Sequence, residues 1–171
     1  VQLIFSAYSQ FMKIIDILKN SDLFGELSES QLEKISKIAE IRNCEKDKII
    51  FDEGSEGNEI FILASGRVAI ELKLYDEMTA EKIFQTKDNE VFGELCLVGG
   101  HRRSARTRAL DDVEMLSIAR NKLIELMDAD PAIGYKIMTN LAKIAASKLR
   151  DTNLALRNIL MQQKFLFGEI H

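Results

Sequence analysis

Lys48-Ile49-Ile50-Phe51, then Asp52-Glu53-Gly54-Ser55-Glu56-Gly57-Asn58, then Glu59-Ile60-Phe61-Ile62-Leu63: this stretch decides the fold. Two short runs rich in isoleucine and phenylalanine flank a connector made of Asp, Glu, Gly, Ser and Asn. Such runs suit a pleated, buried surface, and such a connector suits a turn, so the stretch predicts two strands joined by a loop. Downstream the pattern repeats. Gly66 interrupts before a third strand, Arg67–Leu74; Tyr75 to Glu81 reads as a polar turn, and Lys82–Thr86 as the returning strand. Arg103–Leu110 and Val113–Ile118 alternate again, separated by Asp111-Asp112. Many short strands at this spacing predict a small barrel or jelly roll. Gly54, Gly57 and Gly66 are expected to supply positive φ in its turns, with no chemical role.

Both ends of the chain carry a different period. From Gln10 to Leu18, Phe11, Met12, Ile14, Ile15, Ile17 and Leu18 follow helical spacing. Ser28 and Gln31 form a capping box, opening a second helix that buries Leu32, Ile35, Ile38 and Ala39. At the other end Asp130-Pro131 reads as an N-cap followed by proline at the first helical position. A long helix then runs from Pro131 to about Met161. Its stripe of Met138, Leu141, Ala145, Leu149, Thr152, Leu156 and Ile159 has the spacing of a dimer seam or of packing within one chain. The expected class is mostly β with flanking helices: an antiparallel jelly roll, N-terminal helices and a long C-terminal helix. We divide the chain into an N-terminal helix (1–21), a β-roll (22–130), and a C-terminal helix with tail (131–171), one domain overall.

Composition narrows the function. Hydrophobic residues supply 46% and charged residues 29% of 171 positions, the balance of a globular chain. No apolar run is long enough to span a membrane, and Val1–Gln10 lacks the marks of a secretory signal. Cys44 and Cys96 are too few for a disulfide scaffold and suit a reducing cytoplasm. A net charge of −4 argues against nucleic acid as partner, and two histidines without a Cys-x-x-Cys motif argue against zinc.

Chemistry concentrates in Val91-Phe92-Gly93-Glu94-Leu95-Cys96-Leu97-Val98 and Gly99-Gly100-His101-Arg102-Arg103-Ser104-Ala105. It reads as a strand ending at glycine, one helical turn, a glycine loop, and an arginine opening a strand. A helix start offers free N–H groups to an anion, and a returning arginine adds charged hydrogen bonds. Glu94 would repel that anion, so it needs another task. An acceptor-only carboxylate suits a sugar hydroxyl. Phosphate donors beside a hydroxyl acceptor describe a ribose phosphate.

These residues resemble the phosphate-binding cassette of the cyclic nucleotide-binding domain family, whose pattern is F-G-E-L-[AG]-L, a short loop, then R-[AST]-A. Ile50 to Leu63 and Gly66-Arg67-Val68 are also similar to that family. The resemblance implies that Glu94 binds the ribose 2′-hydroxyl and Arg103 the cyclic phosphate. Gly93 and Leu95 would approach through backbone groups, Ser104 through its hydroxyl and Ala105 through its N–H. Cys96 stands where the family has a small residue. Leu141 to Asn153 is similar to the long helix of the bacterial catabolite-activator branch, which places Thr152 at the adenine amino group and Asn153 toward a partner subunit's ligand. The chain departs from the family at Asn89-Glu90, where Gly-Asp is usual, and asparagine tolerates the positive φ required there. Arg106 and Thr107 replace an apolar pair. Alternation sets Arg103, Ala105 and Thr107 on one face, leaving Arg106 and Arg108 solvated on the other. His101 is expected in an exposed loop, and Cys96 as a small core residue.

Functionally, the resemblance implies a cytoplasmic sensor of cyclic nucleotide, cAMP favoured over cGMP, not an enzyme. Ligand would close the C-terminal helix over the cassette. A homodimer through that helix and an unidentified effector protein are the expected partners. Gln162–His171 is too short for a helix-turn-helix, so direct DNA binding is not expected. The alternatives are a lapsed module serving only in dimerisation, or a piece of a larger transcription regulator or channel.

Overall fold

A computed structural model describes residues 2–73, 80–100 and 102–167. Helices α1 (Gln2–Asn20) and α2 (Glu29–Ser36) precede strands β1 (Ala39–Cys44), β2 (Ile49–Phe51), β3 (Glu59–Ser65), β4 (Val68–Lys73), β5 (Ala80–Gln85) and β6 (Val91–Phe92). A single 3-10 turn, Glu94–Leu97, separates β6 from β7 (Arg106–Ala109) and β8 (Val113–Ala119). Helices α3 (Arg120–Ala129) and α4 (Pro131–Phe167) complete the chain. The strands form two four-stranded antiparallel sheets, ordered β1-β8-β3-β6 and β2-β7-β4-β5. They make the expected β-sandwich of jelly-roll type, flanked by helices.

β3 shows why its stretch of sequence is so informative. Ile60 and Ile62 face a core built with Leu18, Phe24, Ile35, Leu116, Ile118, Leu123 and Ile137, from the helices and β8. Phe61 and Leu63 face a second core between the sheets, with Val68, Phe92, Val113 and Met115. A strand buried on both faces is apolar throughout instead of alternating. Strand β7, in the other sheet, has one wetter face, and it alternates.

The helical signals agree with the structure where a side chain fixes the end. Ser28 Oγ accepts from Gln31 N–H while Gln31 Oε1 accepts from Ser28 N–H, the full capping box. Asp130 Oδ1 accepts from Ile133 N–H at 3.3 Å, capping α4. Lys34 and this backbone bond hold the Asp130 carboxyl below its usual range. Helix α1 is longer than expected, whereas α2 stops at Ser36. Ala39 therefore belongs to β1, where it pairs with Ile118, and not to the helix. Helix α3 is not announced by the sequence: Ala119 at its N-cap makes no side-chain bond, and Leu123 is its buried residue. Asn89 takes φ 66°, as required of a glycine substitute. Of the polar turn expected over Tyr75–Glu81, residues 75–79 lie outside the described residues, and His101 lies outside them as well. Ala80 and Glu81 belong instead to β5, which starts earlier than expected through its pairing with β4. Among the described residues no helix is long and apolar enough to cross a membrane.

Candidate functional site

Gly93 ends β6 with φ 71° and so turns the chain into the 3-10 segment, a conformation that costs glycine nothing. That turn buries Glu94, Cys96 and Leu97. Arg103 does not open a strand as expected, since β7 begins only at Arg106 and Ser104 and Ala105 are bends. Backbone bonds to the 52–58 loop hold Arg103 in the same place instead. Its N–H donates to Ser55 O at 2.9 Å, and its carbonyl accepts from Gly54 N–H at 2.9 Å. The loop read from sequence as a plain connector is thus a backbone clamp on the arginine.

The guanidinium itself is buried. Nη1 donates to Gly93 O at 3.0 Å and Nη2 to Glu59 O at 2.8 Å. Its carbon lies 4.1 Å from the centre of the Phe51 ring, and Phe51, Phe61 and Phe92 stack with centroids 5.3–6.2 Å apart. No carboxylate pairs with Arg103 among the described residues, and Nε has no hydrogen-bond partner. Burial pushes its pKa down. A buried cation without a counter-ion is costly, and such a group marks a place for an anion.

Glycines make the room. A Cβ at Gly93 would lie 2.5 Å from Arg103 Nη1, and one at Gly57 would lie 2.5 Å from Nε. Gly54 and Gly66 have the expected positive φ, but Gly57 does not. Its purpose is close approach to Arg103, so the expectation of a purely conformational role at Gly57 is corrected.

A cavity of about 660 Å³ opens beside these residues. Its lining includes Gly93, Glu94, Leu95, Cys96, Arg103, Ser104, Ala105 and Thr152, so eight of the nine residues singled out from sequence come together. Asn153 is exposed on α4 and does not line it. Helix α4 contributes Ser147, Lys148 and Asp151 as well. The Cys96 thiol is buried 3.6 Å from Glu59 O, and burial pushes its pKa up. Its packing is that of a small hydrophobe.

Three features escape the sequence reading. Thr107, fully buried at the cavity wall, has no partner for Oγ1; with Arg103 Nε it makes up the buried unsatisfied side-chain atoms of the described residues. Lys148 Nζ lies 3.1 Å from Glu94 Oε1. Arg106 and Arg108 are half-buried in ion pairs rather than solvated. Arg106 Nε donates to Asp52 at 2.9 Å, and Arg108 takes the buried Glu71. Arg106, with Lys73 beside it, holds the Asp52 carboxyl down to about 2. Asp52 occupies the Arg106 guanidinium, and Arg106 does not line the cavity. Of the three features, only the position of Thr107, on the Arg103 face, is foreshadowed by alternation.

The cyclic AMP receptor protein of Thermus thermophilus is 27% identical over 139 residues, 81% of this chain. A cGMP-dependent protein kinase, isozyme 2, of Drosophila melanogaster is 31% identical over 118 residues, 66% of this chain. The chain spans 62% of the length of the first and 13% of the second. In fold it resembles the solved cyclic nucleotide-binding domain from Methylobacillus flagellatus, with a TM-score of 0.75 at 20% identity, covering 95% of this chain and 88% of that one. The family model for the cyclic nucleotide-binding domain matches residues 41–130, from β1 through the cassette to the start of α4. On that match, and on the cassette it contains, the chain belongs to the cyclic nucleotide-binding domain family.

Proposed function

We propose that this chain is a regulatory cyclic nucleotide sensor in which Arg103 takes the cyclic phosphate and Glu94 the ribose 2′-hydroxyl. The observation that carries the reading is the buried Arg103 guanidinium, lacking a carboxylate and facing the same cavity as Glu94. Ser104 and Ala105 add a hydroxyl and an N–H beside the phosphate, and Gly93, Leu95 and Cys96 shape the turn around it. The module binds and does not react: its roles are acceptor, donor and counter-charge.

The relatives named above divide between cAMP and cGMP, so base preference rests on α4. Thr152 Oγ1 donates to Lys148 O at 2.8 Å. With its proton committed to the helix, the hydroxyl faces the cavity as an acceptor. An adenine amino group donates and suits it, whereas the guanine carbonyl at the same place does not. This favours cAMP over cGMP. Because α4 already borders the cavity, ligand would draw it closed, shifting the population by its differential affinity for the closed state. Calorimetric titration of the purified chain with cAMP and cGMP tests the reading; absence of binding to either overturns it. Thr152→Ala is expected to weaken cAMP about three- to tenfold and cGMP by less, the measure of one neutral hydrogen bond.

The seam reading of α4 also gains support. Leu141 packs into the core at 2% exposure, but Leu149, Leu156 and Ile159 farther along the stripe are more than half exposed. We assign these to a homodimer seam, from which Asn153 would reach the partner's ligand. Sedimentation equilibrium should show a dimer, and Leu149→Glu with Leu156→Glu a monomer of unchanged melting behaviour. A monomeric parent chain would return α4 to another partner, the unidentified effector among them.

A further inference from the structure

Helix α4 leaves the body of the protein part-way along its length. Ile133, Ile137 and Leu141 are buried, Ile144 packs partly against the same core, and every described residue from Asp151 to Lys164 is exposed. Beyond Ile144, among the described residues, the hydrogen bonds from α4 to the β-roll are those of Lys148. Its Nζ donates to Val91 O and to Glu94 Oε1, each at 3.1 Å. Glu94 is 3% exposed and Lys148 40%, so a cation partly in water reaches inward to a carboxylate enclosed by the cassette. Lys148 is the charged partner of Glu94 among the described residues.

A glutamate's terminal torsion is broad, so a carboxylate without a partner can present its oxygens over a wide arc. A charge-assisted bond to one oxygen removes much of that freedom and aims the other. We propose that Lys148 is the positioning residue of Glu94: it holds Oε1, leaves Oε2 to accept the sugar hydroxyl, and makes α4 part of the sugar's recognition. This rests on the reading of Glu94 as the hydroxyl ligand. It also gives a physical path from the sugar to α4, because the two oxygens of one carboxylate join the ligand to the helix.

The test compares cAMP with 2′-deoxy-cAMP, on the full chain and on Lys148→Met. Any effect of the lost lysine charge on the groups that the two ligands share is alike for both and cancels in their affinity ratio. The ratio therefore isolates the hydroxyl contact. The parent chain is expected to prefer cAMP at least about tenfold, as for a hydrogen bond to a charged group. Lys148→Met should reduce that preference below about threefold. A preference undiminished in the variant overturns the proposal and leaves Glu94 as the hydroxyl ligand. A parent ratio near one overturns the Glu94 reading and the proposal with it. If Lys148→Met fails to fold by thermal melting, Lys148→Ala carries the same ratio test, since it too removes both the charge and the donor to Glu94.

Discussion

Arg103→Ala is expected to reduce cyclic nucleotide affinity at least about tenfold, and its fold should survive the change. Charged hydrogen bonds to a phosphate are worth roughly 1.5–3 kcal/mol, so losing them lowers affinity by about one to two orders of magnitude. The stability effect has opposing parts. Two carbonyls, Gly93 O and Glu59 O, lose donors at about 0.5–1.5 kcal/mol each. Against this, a desolvated cation without a carboxylate partner disappears from the interior, which relieves its burial cost. Melting within a few degrees of the parent, together with the affinity loss in calorimetry, would separate a ligand-binding arginine from a structural one. A folded variant that binds as before would remove Arg103 from the site, and a variant that unfolds would show that the guanidinium is there to hold the loops.

The fold is legible wherever burial is expressed over neighbouring residues. Alternation into β7 sets Arg103, Ala105 and Thr107 on one face, and all three are buried while Arg106 and Arg108 are half-buried. The caps at Ser28 and Asp130 are legible because a cap is a local hydrogen bond between residues three apart. What escapes depends on distant partners. β1 has Glu40, Arg42 and Asn43 among its six residues and becomes a strand through its pairing with β8. The Arg106–Asp52, Arg108–Glu71 and Lys148–Glu94 pairs join segments 37 to 54 residues apart, and no spacing rule announces them. The cassette itself is readable because its residues are compact: the glutamate and arginine that line the cavity stand within thirteen residues, Gly93 to Ala105.

The aromatic trio explains how the arginine is tolerated before any ligand arrives. Phe51 comes from one sheet, Phe61 and Phe92 from the other, and their stacked rings present a π-face to the guanidinium. Phe92 immediately precedes Gly93, and Phe51 precedes the clamp loop. The same two segments therefore supply the support beneath the arginine and the backbone that fixes it. The arginine is thus held in place by the protein's own groups, a preorganised arrangement.

Gly57→Ala should reproduce the binding loss of Arg103→Ala without touching a ligand-contacting residue. The backbone at Gly57 does not need positive φ, so alanine can adopt it without strain. Its Cβ, however, would sit 2.5 Å from Arg103 Nε, 2.7 Å from Cζ and 2.9 Å from Cδ, all below any real contact distance. The side chain cannot give way locally. Phe51 lies on one side at 4.1 Å, and Gly93, whose own Cβ would be 2.5 Å from Nη1, closes another. The guanidinium must leave its place, and with it goes the anion site: at least about a tenfold loss of affinity. Stability should change little, because a Gly-to-Ala exchange in allowed conformation gains about 0.4–1 kcal/mol through the unfolded chain and offsets part of the displacement cost. The decisive measurement is the double variant. If Gly57 acts only by leaving room for Arg103, then Gly57→Ala in the Arg103→Ala background should cost no further affinity, since the crowded group is already gone. Additive losses would mean that Gly57 serves the ligand by another route, and an unchanged affinity in the single variant would mean that Arg103 binds nothing from its present position.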